Sequence, residues 1–279
     1  MKPNVTRVDG PLGRFYEVDG VGQLASVTHI LGSAINKPAL VGWAASEERK
    51  LVAGAAADLH AELLAELVPV QLPRAAYLST LEARIGPARA HSKALAKAGD
   101  IGTQAHRKIE WYLRTQVGAD AGPEPTTCEA SEWAFCCFLG WARSVNLKPI
   151  LLERTVYSTV HGYAGTLDLL ARVHGVATEI SLKTGKAIYN EAFLQSAAYV
   201  TALVEMGYLP PAGGSLIVRL PKVDTDPAFE VKAAPPAAEL LPVFLAAKQL
   251  WTWAYANEQA YQATRKAAKV TPIRTVVAA

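Results

Sequence analysis

Three consecutive runs of β-branched and aromatic residues, separated by glycine-containing turns, constrain the fold of this chain more than any other feature. The runs span residues 150–159, 163–173 and 176–183. Their composition predicts β-strands, and the short connections between them predict an antiparallel meander. A helical stretch at 191–206 and a further strand at 215–220 follow. With a helix before the first strand, the chain predicts the order helix, three strands, helix, strand.

The chain before residue 149 is rich in alanine, leucine and charged residues, which predicts helices. Ser26 has the position of an N-cap before a short helix at 27–31, and Pro38 opens a long helix that runs to about residue 67. Proline and glycine break the region into about four helices, the third at 90–116. We expect an α/β (α+β) fold in two regions. Further expectations are a hairpin containing residues 14–18, an N-terminal region at 1–90, a core region at 91–279, and a final helix at 237–263 with Trp251, Trp253 and Tyr255 as packing residues.

Composition limits the class of protein. The 279 residues are 51% hydrophobic and 19% charged, which allows a substantial core and argues against a disordered chain. No apolar run is long enough to cross a membrane, and the first ten residues lack the apolar stretch of a secretory signal, so we expect a cytoplasmic protein without a membrane partner. The cysteines Cys128, Cys136 and Cys137 cluster among helix-forming residues, and we expect reduced thiols, mostly in the core.

The distribution of charge carries more information than the formal net charge of +3. Basic residues outnumber acidic ones between residues 84 and 114 and again after Glu258. Such stretches either follow a phosphate backbone or form a solvated helix face, and both interpretations stay open at this point. The basic residues of the first stretch are Arg84, Arg89, Lys93, Lys97, Arg107, Lys108 and Arg114.

An acid and a lysine are expected to meet on neighbouring strands. Asp168 stands among apolar residues in the second strand, and a buried acid needs a partner. On the third strand, Glu179, Ser181 and Lys183 share one face because side chains alternate with period two. Phosphodiester hydrolysis uses a divalent cation held by oxygen ligands and a lysine near the phosphate. This pattern is compatible with such a site.

A resemblance makes that interpretation specific. The run GYAGTLDLLARVHGVATEISLKTGK at 162–186, followed by LQSAAY at 194–199, resembles the core of the PD-(D/E)XK nuclease superfamily. The similarity is closest to its RecB-like branch, which includes the RecB nuclease domain, phage exonucleases and the mitochondrial genome maintenance exonuclease. GTQAHRKIE at 102–110 resembles the helix with which that branch supplies a histidine to the metal. The resemblance covers residues 99–200 and implies a restriction-endonuclease-like αβββαβ core with an added N-terminal helical region.

The resemblance also implies roles for individual residues. His106, Asp168 and the backbone carbonyl of Leu182 correspond to ligands of Mg²⁺ or Mn²⁺, with Glu153 as an auxiliary acid and Lys183 as the catalytic lysine. Taken without the resemblance, His106 would pair with Glu110 one helical turn later. The implied substrate is DNA, at its ends or as single strands. Gln195 and Tyr199 match the QxxxY signature that contacts the substrate backbone, and the basic residues expected to bind DNA are Arg107, Lys108 and Lys186.

Ser181 departs from the family pattern, which has an aspartate or glutamate two residues before the lysine. A neutral hydroxyl is a poor ligand for a hard cation, so metal affinity and cleavage rate should fall. Glu179 lies about 6 to 7 Å further along the strand and could replace the missing acid only if the metal shifted or the strand bulged. A single replacement of an acid by serine, engineered or natural, explains the pattern most simply.

Two functions of different classes follow. The first is a metal-dependent DNA nuclease, an exonuclease rather than a sequence-specific endonuclease because no recognition domain is apparent, acting in replication, recombination or end processing. The second is a nuclease-derived module that binds DNA without cutting it. Ser181→Asp is expected to restore cleavage, and Glu179→Ala to change little.

Overall fold

The computed structural model describes residues 4–10, 13–65, 73–86 and 89–270, and in these ranges the chain is a mixed α/β protein with seven helices and eight strands. The helices are α1 (Val27–Ala34), α2 (Pro38–Ala65), α3 (Arg74–Ile85), α4 (Ala90–Gln116), α5 (Glu129–Ser144), α6 (Asn190–Glu205) and α7 (Ala237–Val270). The strands are β1 (Val5–Gly10), β2 (Gly13–Val18), β3 (Gly22–Ser26), β4 (Lys148–Ser158), β5 (Tyr163–Val173), β6 (Val176–Lys183), β7 (Ser215–Arg219) and β8 (Glu230–Ala233).

All eight strands form one sheet, in which β5 is the central member. Strand β4 pairs with β5 along one edge, while β3 and β6 share the other edge. Strand β3 pairs in parallel with the start of β5, at Tyr163 and Ala164, and β6 pairs antiparallel with its end, from Leu169 to Val173. Residues 165–168 lie between these two pairings. Strands β3 and β6 therefore diverge along this edge of β5, and Asp168 lies in the gap between them.

The core contains a small apolar cluster of Tyr16, Val18, Leu24 and Ala164 and two large ones. One combines α1, α6 and α7 with the sheet and includes Val156, Leu167 and Tyr199. The other combines α4 and α5 with the sheet and includes Ile109 and Leu169. Layers of this kind are the usual way in which a sheet buries both of its faces.

Strands β4 and β5 exchange faces where they pass each other at Glu153 and Asp168. Period-two alternation would place Leu167 and Leu169 on one face, yet they belong to different clusters. Leu152 and Val156 are divided in the same way. Glu153 has a φ of 43°, a left-handed conformation that is unusual for a residue with a side chain. Because of this irregularity, the side chains of Glu153 and Asp168 both point toward His106 of α4.

The N-terminal helical region contributes little to the core. Leu59 is the only buried side chain among those described in α2, and α3 has none. The predicted division at residue 90 falls at the start of α4. However, β1, β2, β3 and α1 belong to the same sheet and core as the second region, because β3 pairs with β5 and α1 packs on α7.

Most of the predicted elements are confirmed, including the antiparallel meander and the Ser26 cap, whose hydroxyl accepts a hydrogen bond from the amide of His29 at 3.1 Å. The prediction of a 237–263 helix is too short, since α7 continues to Val270. Trp253 is 69% exposed and does not pack inside, unlike Trp251. The cysteines are free thiols as expected, but Cys128 and Cys136 are exposed, because these positions of the α5 region face solvent. No helix in the described part of the chain could span a membrane.

Candidate metal centre

His106, Glu153 and Asp168 form a compact group of potential metal ligands. One donor atom from each side chain lies within 4.8 Å of the other two. His106 Nδ1 is 3.8 Å from a carboxylate oxygen of Glu153 and 3.8 Å from one of Asp168. All three side chains remain partly exposed, at 26%, 30% and 15% respectively. The group can therefore be reached from solvent.

The backbone explains how three distant segments meet. In the register of β4 and β5, Leu152 pairs with Leu169 and Arg154 with Leu167, so Glu153 stands opposite Asp168. Helix α4 brings His106 to the same place by approaching the sheet closely. A Cβ atom on Gly102, one turn earlier, would lie 2.9 Å from the Thr184 hydroxyl. A larger residue at 102 would hold the helix away from the sheet.

The electrostatics of the group favour a cation. Burial lowers the pKa of His106, but the carboxylates of Asp168 and Glu153 raise it more, so the net shift is upward. Burial raises the pKa of Glu153, and the charge of Asp168 adds to this effect while His106 opposes it. The imidazole of His106 can carry one positive charge, which is less than the two negative charges of the ionised carboxylates. A divalent cation would relieve the repulsion between the acids.

The donor set fits a hard divalent ion. Carboxylate oxygens suit Mg²⁺ and Mn²⁺, and the single imidazole is more favourable for Mn²⁺ than for Mg²⁺. The three side chains leave further coordination positions for water and for a substrate oxygen. His106 does not pair with Glu110, which instead accepts hydrogen bonds from Arg114 at 2.6 and 2.9 Å. The imidazole therefore remains available for a metal.

A second set of side chains continues from Lys183. The Lys183 ammonium donates to Gln195 Oε1 at 3.0 Å, and the Gln195 amide donates to the Tyr199 hydroxyl at 2.8 Å. Tyr199 is only 2% exposed, and a Cβ atom on Gly165 would lie 2.3 Å from its ring. The predicted contact of Tyr199 with substrate therefore does not match its position, because the ring is covered by β5. Tyr199 holds Gln195, and Gln195 orients the lysine.

Ser181 and Leu182 are tied to Asp168. The Leu182 amide donates to Asp168 Oδ2 at 2.8 Å, and the Ser181 hydroxyl donates to the same oxygen at 3.4 Å. Leu182 thus contacts the site through its N–H, which fixes the rotamer of Asp168. Ser181 is 1% exposed and lies beside Asp168, just beyond the paired residues Leu169 and Ile180. Of the four residues predicted to meet, His106 and Ser181 both lie beside Asp168, whereas Lys183 contacts Gln195.

Glu179 has a different environment from the three ligand candidates. It is fully buried, and among the described residues no donor forms a well-aligned hydrogen bond with its carboxylate, although the hydroxyls of Ser215 and Ser196 lie near enough to lower its pKa against the effect of burial. Burial raises its pKa to about 7. It is not one of the three residues whose donor atoms converge. The shift of the metal that would make Glu179 a ligand is not needed, because Glu153 already faces Asp168.

The basic residues predicted to bind DNA differ in their availability. Arg107, next to His106, is exposed. Lys108 is 7% exposed and pairs with Glu124 and with Glu132, the latter at 3.2 Å. It cannot contact phosphate without breaking both ion pairs, so its expected role is not supported. Lys186 is 74% exposed at its side chain and pairs with Asp226 at 3.1 Å.

Two residues of the site region were not predicted from the sequence. Gly165 allows Tyr199 to lie against β5, and its only sequence signal is a glycine inside an otherwise regular strand. Arg154 follows Glu153 and lines a cavity beside it, and its signal is a basic residue within an apolar strand. Neither signal identifies a role without the packing.

Comparison with known proteins does not add to these observations. No protein-family model and no curated protein sequence matches the chain.

Proposed function

We propose that this protein is a divalent-metal-dependent nuclease that hydrolyses phosphodiester bonds in DNA. The observation that carries the proposal is the convergence of His106, Glu153 and Asp168 within 4.8 Å, at the position where the sheet splits. Lys183 lies on the strand next to Asp168. The element order from α4 and α5 through β4, β5, β6, α6 and β7 is compatible with a restriction-endonuclease-like αβββαβ core.

Each side chain has a defined task in the proposed reaction. A bound Mg²⁺ or Mn²⁺ ion supplies Lewis acidity to a phosphoryl oxygen and lowers the pKa of a bound water. Asp168, Glu153 and His106 would hold that ion, and its charge would offset the repulsion between the two carboxylates. Lys183, oriented by Gln195, places a positive charge where the phosphate gains negative charge. Tyr199 keeps Gln195 in one rotamer.

Glu153 can supply the second carboxylate that Ser181 lacks. With Asp168 it supplies two carboxylates, the same number as an aspartate pair on β5 and β6 would supply. It reaches the group from β4, on the other side of Asp168 from Ser181. In this proposal the protein cleaves DNA as it stands, although with weaker metal binding than a protein with an additional acid at 181.

Ser181 also favours a second candidate function, a nuclease-derived module that binds DNA without cutting it. A serine hydroxyl adds no charge to the site, and phosphate contacts from basic side chains do not depend on it. The two candidates differ in one observable, which is metal-dependent cleavage. They agree that the protein binds DNA.

The test compares the native chain with Asp168→Asn on linear single-stranded, linear double-stranded and closed circular DNA, with Mn²⁺, with Mg²⁺ and with a chelator. We expect cleavage of linear DNA with metal only, and a loss on the order of 10³-fold in Asp168→Asn because the metal's contribution is several kcal/mol. Asp19→Asn, in an exposed turn, is the control for loss of one acid. Equal activity of Asp168→Asn and the control contradicts the proposal. Binding without cleavage by the native chain supports the second candidate.

A further inference from the structure

A polar cavity of about 570 Å³ adjoins the candidate metal centre and shares one of its three ligand candidates, Glu153. Consecutive residues of β4 from Leu152 to Thr155 form one wall, and the end of α4, the start of β1 and the chain after α6 form the others. Strand β4 is an edge strand among those described, because it pairs only with β5. Edge strands present free backbone groups to whatever lies beside them. A volume of this size is typical of ligand pockets.

Arg154 is the unusual residue of this cavity. Its Nε atom is buried and has no hydrogen-bond partner in the described part of the chain. No carboxylate of the described residues forms a salt bridge with its guanidinium. A buried donor on a charged group costs free energy when it lacks a partner, and proteins keep such groups where a ligand supplies the partner. The missing partner of a guanidinium is an anion.

Arg114 adds a second cation to the same cavity. Its guanidinium is held by Glu110, which accepts from Nε and Nη2, so the group has a fixed orientation. The hydroxyls of Thr155 and Tyr157 also line the cavity and can donate hydrogen bonds. Glu153 is the only acid among the lining residues, and it is the residue that the metal centre would neutralise. With a divalent cation offsetting Glu153 and Asp168, and with Glu110 offsetting Arg114, the charge of Arg154 leaves the cavity positive.

We infer that Arg154 and Arg114 form an anion subsite that takes a phosphate group of the nucleic-acid strand next to the phosphate at the metal centre. This inference rests on the proposed function for the identity of the strand. Arginine suits the role because its planar fork matches phosphate geometry. Glu153 lines the cavity and also belongs to the ligand group, so the cavity adjoins the candidate metal centre and a strand bound there would pass beside it. The phosphate is either a terminal monoester or an internal diester.

The experiment measures binding of short single-stranded DNA to the full chain with Ca²⁺ in place of Mg²⁺ or Mn²⁺, over a range of salt concentrations. For Arg154→Gln we expect about tenfold weaker binding, and a salt slope smaller by about 0.7, since one phosphate contact is lost. Arg172→Gln is the matched control, because Arg172 is exposed near the end of β5 and donates to the Gly175 carbonyl at 3.0 Å. A salt slope that is the same for both variants would overturn the inference.

Three oligonucleotides of equal length identify the source of the phosphate. They carry a 5′-phosphate, a 3′-phosphate or hydroxyls at both ends. A loss confined to one phosphorylated oligonucleotide identifies a terminal monoester, and an equal loss with all three identifies an internal diester. Arg154→Lys provides a second variant in case Arg154→Gln does not fold. It should keep the salt slope but bind several-fold more weakly, because an ammonium lacks the fork. Binding equal to that of the native chain would exclude a guanidinium contact.

The outcomes also separate this inference from the proposed function. If the native chain cleaves DNA with metal but Arg154→Gln keeps its salt slope, the metal nuclease stands and the anion subsite does not. If Arg154→Gln loses the slope while the native chain never cleaves, the subsite stands and the cleavage function does not. Inorganic phosphate provides a measurement without DNA: it should raise the Tm of the native chain and of Arg172→Gln, but not of Arg154→Gln. An equal rise in all three proteins would overturn the inference.

Discussion

The two glutamates on either side of Asp168 occupy opposite environments. Glu153 on β4 is 30% exposed and its carboxylate lies 3.8 Å from His106. Glu179 on β6 is fully buried, and among the described residues only the hydroxyls of Ser215 and Ser196 lie near its carboxylate, without well-aligned hydrogen bonds. Burial raises the pKa of both groups. An acid becomes useful to a metal only when it also has a route to solvent and neighbouring donors, and Glu153 has both.

The backbone is the source of this difference. Glu179 belongs to a regular part of the sheet, paired with Leu170 on one side and Ser215 on the other. Glu153 lies where β4 and β5 exchange faces, with a φ of 43°. Unusual backbone conformations of this kind cost on the order of 1 to 3 kcal/mol and persist where the surrounding structure requires them. The strained residue is therefore the one that reaches the candidate metal centre.

The largest expected effect distinguishes these two acids in catalysis. Glu153→Gln should reduce metal-dependent cleavage on the order of 10³-fold, because one of two carboxylates leaves the metal and Lewis-acid stabilisation is several kcal/mol. Glu179→Gln should change the rate by less than about tenfold, because its carboxylate lies outside the ligand group. Initial rates at saturating Mn²⁺ measure both.

Metal titration gives the control for this pair of variants. Glu153→Gln should need more Mn²⁺ for half-maximal activity, whereas Glu179→Gln should need the same amount as the native chain. The reverse result, with Glu179→Gln inactive and Glu153→Gln active, would make Glu179 the second acid ligand. The comparison between the two acids would then be wrong.

A smaller effect is expected on stability, and here Glu179 is the acid whose substitution matters. Burial raises the pKa of Glu179 from 4.5 to about 7 in the folded protein, so the unfolded chain releases this proton first as pH rises. The contribution of Glu179 is therefore neutral below about pH 4.5, becomes unfavourable between pH 4.5 and 7, and reaches a cost of about 3 kcal/mol above that window. Glutamine does not ionise, so Glu179→Gln removes the cost.

Denaturant unfolding at pH 4.5 and pH 8 checks this expectation. The free energy of unfolding of Glu179→Gln, relative to the native chain, should increase by about 3 kcal/mol between the two pH values. Taking the difference between the two proteins cancels the other titrating groups. Glu17→Gln, an exposed acid on β2, is the control and should show no such change. A difference independent of pH would mean that Glu179 has a partner that keeps it ionised.

The sequence predicted the parts of the fold that depend on local patterns. Alternation and turn residues located β5 and β6, and the capping preference of serine located the start of α1. It did not predict that β3 would join β5 in parallel, because that pairing links residues far apart in the chain. Lys108 shows the same limit for charge. A basic residue in a basic helix suggested a phosphate contact, and only the packing revealed its pairing with Glu124 and Glu132.

The site divides in the same way. Asp168, Lys183 and His106 were predicted because each stands in a recognisable motif, and the structure places His106 beside Asp168. The sequence could not predict that Glu153 lies as close to His106 as Asp168 does, because this position depends on the left-handed conformation of Glu153 and on the register of β4. Period-two alternation says nothing about where a strand changes face. Irregular backbone is thus the part of the site that sequence patterns do not encode.

The smallest expected effect concerns Ser181, which lies two residues after the buried Glu179 and beside Asp168 of the ligand group. Its hydroxyl lies 3.4 Å from Asp168, so Ser181→Asp places a third carboxylate beside the two that face His106. With metal, the new ligand should lower the Mn²⁺ concentration for half-maximal cleavage by on the order of tenfold, because added ligand charge tightens the binding of hard cations. Without metal, repulsion from Asp168 should lower the Tm of the variant. Ser181→Asn has the same shape without the charge and should show neither change. If Ser181→Asp cleaves DNA where the native chain does not, then Glu153 does not replace the missing acid, and the native protein is a binding module.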